Sequence, residues 1–332
     1  MTEPARIALA RLPTPLVRLE RLGPVLGVKD AQVWIKRDDL TGLELSGNKV
    51  RKLEFIVADA LATGCDTLVT EGTSQSNHCR ATAAVCARLG LRCELLLRPR
   101  SDAPPQGNHL LDRLFGANLR WFSREELSAD RAGILARLVD ELSAAGHKPR
   151  VMPTGASEPL GCWGYIRAAA ELAEQLRDAQ IGACDVVVAT SSCGTAAGLL
   201  LGKLLHWPAE WRLNIVPVSD DVAYHQREIE RLCRATSAQF ALPGPFSWDG
   251  CELIDGYVGA GYAIPFDRAL EALRTLARSE AILLDPVYTA KTFCAVVDGI
   301  RTGRFGSRRP VVFVHTGGVF SNFTWPEIVD AE

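Results

Sequence analysis

The stretch Ser46-Gly47-Asn48-Lys49-Val50-Arg51-Lys52-Leu53-Glu54 joins a small-polar loop to an amphipathic run. Val50, Leu53, Ile56, Val57 and Leu61 fall on one side of that run and Arg51, Lys52, Glu54 and Asp59 on the other, which places Lys49 at a loop-to-helix junction. A helix N-terminus disfavours an ammonium, so an amine there loses its proton more readily. Such an amine can attack a carbonyl and hold an aldehyde cofactor as a Schiff base. The ordinary alternative is a solvated surface lysine, and position alone favours it.

Three other stretches bear on that choice. Gly72-Thr73-Ser74-Gln75-Ser76-Asn77-His78 follows a strand-like run and precedes a helix. At the C-terminal end of a parallel strand such a loop offers backbone N–H groups to an anion, with the Ser76 hydroxyl and Asn77 amide beside a carboxylate. Simple N-capping by Ser76 or Asn77 is an equal reading. Ser191-Ser192-Cys193-Gly194-Thr195-Ala196-Ala197-Gly198 repeats the arrangement after Val186–Ala189. Hydroxyls and amides at a helix start suit a phosphate, although the run is neither a Walker A loop nor GxGxxG, and an ordinary capped helix reads the same way. Asp285-Pro286-Val287-Tyr288-Thr289-Ala290-Lys291 supplies a tyrosine able to move a proton, against the alternative of a half-buried Tyr with a satisfied hydroxyl. His315, before Thr316-Gly317-Gly318, reads as a hydrogen-bonding strand end. Gly256-Tyr257-Val258-Gly259-Ala260-Gly261-Tyr262 reads as a loop bringing Tyr262 to a cleft.

The elements that must position these residues alternate. Strands at Asp66–Gly72, Cys93–Leu97, Asp185–Ala189, Leu213–Val218 and Pro310–His315, with a strand-like Ala281–Leu284, are separated by helices. The helices are expected over Asn77 to Leu89, Gly107 to Leu114, Ser128 to Ala145, Asp220 to Arg234 and Pro265 to Ser279. That alternation predicts an α/β protein with parallel pairing and right-handed crossovers. Two lobes are expected: a larger one from residues 1–50 plus 161–332, and a smaller one from 51–160. Leu12-Pro13-Thr14-Pro15-Leu16 reads as an extended arm, and Asp38-Asp39 as a cap or turn before Thr41-Gly42.

Composition narrows the partners. With 332 residues, 37 basic and 39 acidic, the net charge of -2 gives no footprint for nucleic acid or an anionic membrane. No apolar run approaches a membrane span and the first residues lack a signal core, so a cytoplasmic protein acting on a small molecule is expected. The 10 cysteines are scattered singly, with no CxxC pair and no metal-ligand cluster, and read as reduced thiols.

Taken in order, several runs resemble a family. They are Leu12–Leu16, Lys36-Arg37-Asp38-Asp39-Leu40-Thr41-Gly42, Ser46–Glu54, Gln75-Ser76-Asn77-His78-Cys79-Arg80, Leu160-Gly161-Cys162-Trp163-Gly164-Tyr165, Asp285–Tyr288 and His315–Gly318. The set is similar to pyridoxal-phosphate enzymes of fold type II, the tryptophan-synthase-β fold, and within them to the D-cysteine desulfhydrase and 1-aminocyclopropane-1-carboxylate deaminase group. The resemblance implies two mostly parallel sheets, pyridoxal phosphate as cofactor, an amino-acid substrate and a homodimer. It makes Lys49 the Schiff-base lysine and proton acceptor, sets Asn77 by the cofactor's phenolic oxygen, and gathers Ser76, Asn77 and His78 at the substrate carboxylate. It gives Ser192, Cys193, Gly194 and Thr195 the phosphate with help from Lys52, flanks the substrate with Tyr262 and Tyr288, and turns Thr289 to the pyridine nitrogen. Ser76 or Tyr288 would assist proton transfer.

A hydroxyl at Thr289, where the cyclopropane deaminases carry an acid, implies β-elimination, most simply of hydrosulfide from D-cysteine. The alternatives are a lyase for cysteate or another β-substituted amino acid, the cyclopropane deaminase, and a non-catalytic cofactor-binding protein. Thr73, Ser74, Glu158, Ser191 and Cys193 depart from the family's usual residues.

Overall fold

A computed structural model describes residues 2–98, 104–306 and 309–329. The larger sheet contains β1 (Leu16–Arg18), β2 (Val33–Lys36), β7 (Asp185–Thr190), β8 (Arg212–Pro217), β9 (Cys251–Leu253) and β10 (Val311–Val314), in the order β1-β2-β10-β7-β8-β9. Only β1 runs antiparallel to its neighbour; β10 pairs parallel with β2 from Val311 opposite Val33 and with β7 from Val311 opposite Asp185. The central strands are near-continuous valine runs because both faces are covered, and every residue of β7 and β10 is buried. The smaller sheet, β5-β4-β3-β6, is wholly parallel and uses β3 (Thr67–Thr73), β4 (Arg92–Arg98), β5 (Asn118–Trp121) and β6 (Pro149–Val151).

Helices cover both sheets. After the short α1 (Leu22–Val25), the smaller sheet is accompanied by α2 (Lys49–Ala62), α3 (Asn77–Leu89), α4 (Gly107–Leu114) and α5 (Arg124–Ala144). The larger is accompanied by α6 (Pro159–Asp178), α7 (Gly194–His206), α8 (Val222–Phe240), α9 (Asp267–Glu280) and α10 (Thr289–Arg301). One apolar cluster joins α6 and α7 to β7 and β8 around Trp163, Tyr165 and Leu200; another joins α9 and α10 to the opposite face of that sheet around Phe293 and Phe313. The first two strands therefore belong to the larger sheet, and the chain leaves it after β2 to build the smaller one.

Several local expectations change. Ala281–Leu284 is not a strand; Ala281 caps α9 in the left-handed region, and the segment runs on as irregular chain. The helix expected from Ser128 starts at Arg124, because the Ser123 hydroxyl accepts the Glu126 N–H at 3.0 Å while the Glu126 carboxylate accepts the Ser123 N–H at 2.6 Å. It is broken at Asp130. The polar side of α2 is not solvated: Arg51, Lys52 and Glu54 are buried, while Leu61 is exposed. Asp38 is likewise no surface cap, being fully buried.

Asp112 on α4 is fully buried, and neither carboxylate oxygen has a hydrogen-bond partner among the described residues. Burial pushes its carboxyl well above the ordinary range, and the Arg80 charge only partly opposes this. The folded protein therefore keeps a proton that the unfolded chain releases near pH 4. Stability contributed by this site is greatest in acid and falls as pH rises from there toward the folded-state value. Asp112→Asn, of the same shape but unable to ionise, is expected to flatten the decline. Urea unfolding of both proteins across pH 5 to 8 measures it; an unchanged slope would refute the assignment.

Candidate active site

The starts of α2, α3, α7 and α10 and two loops, one with Gly155 and Ser157 and one with Tyr262, carry the site residues. Lys49 opens α2, and its half-buried amine makes no hydrogen bond to a described residue. Burial, and then the neighbouring Lys52 charge, hold it well below the ordinary lysine range. A larger share of the amine is therefore neutral and nucleophilic at neutral pH. The sequence argument rested on the helix dipole; here burial is the larger cause. The amine faces Gly155, where an added Cβ would lie 3.3 Å from Lys49 Nζ and 2.2 Å from Ser192 Oγ. Gly155 has φ of 68°, so a side chain there would be strained and would also fill the space between the two.

Lys52, one turn further along α2, is fully buried and has no carboxylate partner among the described residues. Its ammonium donates to the Gly155 carbonyl at 3.1 Å and lies 3.4 Å from Ser157 Oγ. Burial lowers its pKa to about 8. The N-terminus of α7 meets it: a Cβ on Gly194 would fall 2.7 Å from both Lys52 Nζ and Ser157 Oγ. The Ser157 hydroxyl donates to Ser192 Oγ at 2.9 Å and accepts the Gly194 N–H at 3.2 Å. Thr195 stands in the first turn, its hydroxyl accepting the Asn48 amide at 2.9 Å. A buried cation without an anionic partner among the described residues, two serine hydroxyls and a helix start whose Thr195 and Ala196 N–H groups lie in the first turn together fit a phosphate. Cys193 caps α7 at φ 65°, its thiol 3.3 Å from His225 Nδ1 and directed behind the loop, so it offers the cradle backbone only.

The N-terminus of α3 forms the opposite wall. Buried Ser76 accepts the Cys79 N–H at 3.2 Å and keeps its own proton to give. Asn77 Oδ1 accepts from Asn108 at 2.8 Å, leaving the Asn77 amide nitrogen as a donor. The His78 side chain is fully inside. Thr70 gives its proton to the Met152 carbonyl at 3.1 Å, so His78 Nε2 must be the donor in the 2.9 Å contact with Thr70 Oγ1, and Nδ1 is a bare acceptor. Burial first, then the Lys49 and Lys52 charges, keep this imidazole neutral. What His78 offers an anion at α3 is its backbone N–H.

Over the site, the Tyr262 and Tyr288 hydroxyls share a short hydrogen bond, with ring centroids 5.9 Å apart. Burial raises both phenols, Tyr288 the more strongly, so both stay protonated. Thr289, at the start of α10, gives its hydroxyl proton to Asp285 Oδ1 at 2.7 Å and accepts the Asp285 N–H at 2.7 Å. The buried Thr289 hydroxyl is thus engaged with Asp285 both as donor and as acceptor. Asp285 also takes the Val287 and Tyr288 N–H groups at 3.0 Å each. His315 bonds the Leu283 carbonyl through Nε2 at 2.9 Å and accepts the Gly317 N–H at 3.2 Å.

A buried ionic cluster fixes α2, and with it both lysines. Arg51 donates to Asp38 at 2.8 and 3.0 Å and to Glu171 on α6 at 2.9 and 3.0 Å. Tyr165 and Thr14 add hydroxyl bonds to Asp38 at 2.6 and 2.7 Å, and Lys36 pairs with Glu171. The sequence reading missed this role for Asp38 and Arg51, and missed Ser157, Gly155 and Asp285 as parts of the site. The run Thr154-Gly155-Ala156-Ser157 before a helix was the available signal for two of them. Glu158 pairs with Arg150 at 2.6 Å.

Two mostly parallel sheets with an unpaired amine between an anion cradle and a capped helix define a fold type II cofactor enzyme. The chain belongs to the pyridoxal-phosphate dependent enzymes, a family that matches residues 7–317, and its cofactor is pyridoxal phosphate. D-cysteine desulfhydrases from Salmonella newport and Salmonella schwarzengrund are each 41% identical to it over 330 residues, spanning 98% of this chain and 97% of theirs. Among solved structures, an ACC deaminase homologue superposes with a TM-score of 0.86 at 33% identity, covering 99% of this chain and 96% of that one. An O-ureido-L-serine synthase shares the fold alone, with a TM-score of 0.64 at 18% identity over 96% of this chain and 92% of its own.

Proposed function

We propose that the protein is a D-cysteine desulfhydrase, converting D-cysteine and water to pyruvate, hydrogen sulfide and ammonia. The observation that carries this reading is a Lys49 amine without a hydrogen-bond partner, beside a buried Lys52 without a counter-ion, both among the described residues, with Lys52 facing the start of α7. Lys52, Ser157, Ser192, Gly194 and Thr195 would hold the phosphate, with Cys193 contributing backbone, and the Asn77 amide would donate to the phenolic oxygen. Pyridoxal phosphate, when bound, supplies an electron sink for the bonds at the substrate's Cα.

The remaining work falls to side chains. The α3 N-terminus and Ser76 bind the substrate carboxylate, which orients the Cα–H toward Lys49. The Lys49 amine would anchor the cofactor and, when free, would take the Cα proton. Tyr288, supported by Tyr262, gives a proton to the departing sulfur. Thr289, a hydroxyl rather than an acid, supports elimination over opening of a cyclopropane ring. The likeness to the desulfhydrases named above supports the same substrate.

The ten cysteines are all free, which suits a reducing cytosol, and no helix among the described residues is long and apolar enough to cross a membrane. We take the working form as a homodimer, for which sedentation of the holoenzyme by analytical ultracentrifugation is the test.

Keto-acid assays with D-cysteine, L-cysteine, cysteate, β-chloroalanine and 1-aminocyclopropane-1-carboxylate test the substrate. Pyruvate with stoichiometric sulfide, fastest from D-cysteine, is the expected result. Formation of 2-oxobutanoate from the cyclopropane acid as the fastest reaction, or bound cofactor with no turnover, would overturn it.

A further inference from the structure

The segment 255–265 between β9 and α9 carries Tyr262 to the site, yet little in its own backbone holds it. Among the described residues its one internal backbone hydrogen bond runs from the Ile264 N–H to the Gly261 carbonyl at 3.3 Å. Gly256, Gly259 and Gly261 adopt φ of 95°, 68° and 149°, so local preference does not define the path. The tethers come mainly from α10, with Tyr262 also hydrogen-bonded to Thr73 at the end of β3. Tyr257 Oη donates to Asp298 at 3.0 Å, and Tyr262 meets Tyr288, the residue capping α10. Between them, Lys291 donates from Nζ to the Val258 carbonyl at 2.6 Å and the Gly261 carbonyl at 2.9 Å.

Lys291 is fully buried. No carboxylate pairs with it among the described residues, and its hydrogen bonds run to these two carbonyls. The Asp285 charge favours the ammonium from beyond ion-pair distance, yet burial still lowers its pKa to about 8, so it is costly to bury and a leucine or methionine would pack at lower cost. Its stem leaves α10 two residues beyond Thr289, so the ammonium links the loop to the helix that presents Tyr288 and Thr289. Two charge-assisted bonds, three residues apart, are the backbone's ties to α10 and help set where the next residue, Tyr262, points.

We infer that Lys291 is a positioning residue that clamps the Val258–Gly261 backbone onto α10 and so holds the Tyr262 hydroxyl on Tyr288. Its kinetic consequence rests on the reading that these tyrosines face the substrate. Its structural consequence does not.

Hydrogen exchange by mass spectrometry on the holoenzyme, comparing wild type, Lys291→Met and Lys291→Gln, tests the clamp. In Lys291→Met, amides of 257–264 are expected to exchange about tenfold faster while α10 keeps its protection. Lys291→Gln, which retains a donor, falls between and serves alone if the methionine variant does not fold. Lys291→Met should also lower kcat/KM for D-cysteine about tenfold, and add little further loss in a Tyr262→Phe background. Unchanged exchange at 257–264, equal loosening of α10 and the sheet, or fully additive losses in the double variant would overturn the clamp. Faster loop exchange with full activity in every variant, Tyr262→Phe included, would uphold the clamp and remove Tyr262 from the substrate site.

Discussion

Replacing Lys49 with alanine is expected to lower pyruvate formation from D-cysteine by about a thousandfold or more, since one substitution removes both an anchor and a proton acceptor. The variant should still bind the cofactor. Lys52, the Ser157–Ser192 pair and the α7 N-terminus are separate from the lost amine and supply the interactions remote from the reacting bonds. Borohydride treatment followed by peptide mapping is therefore expected to label Lys49 in the wild type and no lysine in Lys49→Ala, while equilibrium dialysis shows both proteins taking up cofactor. A label on Lys52 or Lys291 in the wild type would move the chemistry elsewhere. Retention of activity by Lys49→Ala would end the proposal.

Arg51→Met is expected to cost about 3–5 kcal/mol of stability, the penalty for leaving buried charges uncompensated. The guanidinium is the shared partner of two carboxylates, Asp38 and Glu171, with Asp38 fully buried. By contrast, Arg304→Met breaks an exposed pair with Glu252 and should cost under about 1 kcal/mol. Urea unfolding at constant slope compares the two; equal losses would refute the assignment. Burial alone would raise both carboxyls, but on Asp38 the Arg51 and Lys36 charges, and on Glu171 the Arg51 hydrogen bonds and charge, hold them below their ordinary values. Their contribution is therefore complete at neutral pH, and is lost as pH falls through the carboxylate range toward the folded-state values. In Arg51→Met this acid limb should shrink.

The cluster also explains where local reading fails. A charged side chain at a helical position away from the apolar stripe reads as solvated, and Arg51, Lys52 and Glu54 all fit that pattern. Arg51 is buried by α6, more than a hundred residues further along the chain, which brings Glu171 over α2, whereas Glu54 is covered by the N-terminal segment, accepting the Leu9 and Ala10 N–H groups, and Lys52 by Gly155 and Ser157. The short β9 was unreadable for a related reason. Three residues hold too little pattern, and only pairing with β8 from Leu213 opposite Cys251 makes them a strand. That strand gives the Tyr262 loop its starting point.

Alternation of apolar runs with helical periods was enough to determine the α/β class, the main strands of both sheets and the helix starts that bear Lys49, Asn77 and Gly194, because such signals are local. The ordered motifs pointed to the cofactor, because each chemical demand selects its own residue type. Tertiary structure alone decided that Lys52 lacks a counter-ion, that Thr289 leans on Asp285, that the His78 ring faces inward and that Lys291 reaches the loop. Each of these depends on which distant groups share a low-dielectric space, and burial and partnership are properties of the assembled chain rather than of any window along it.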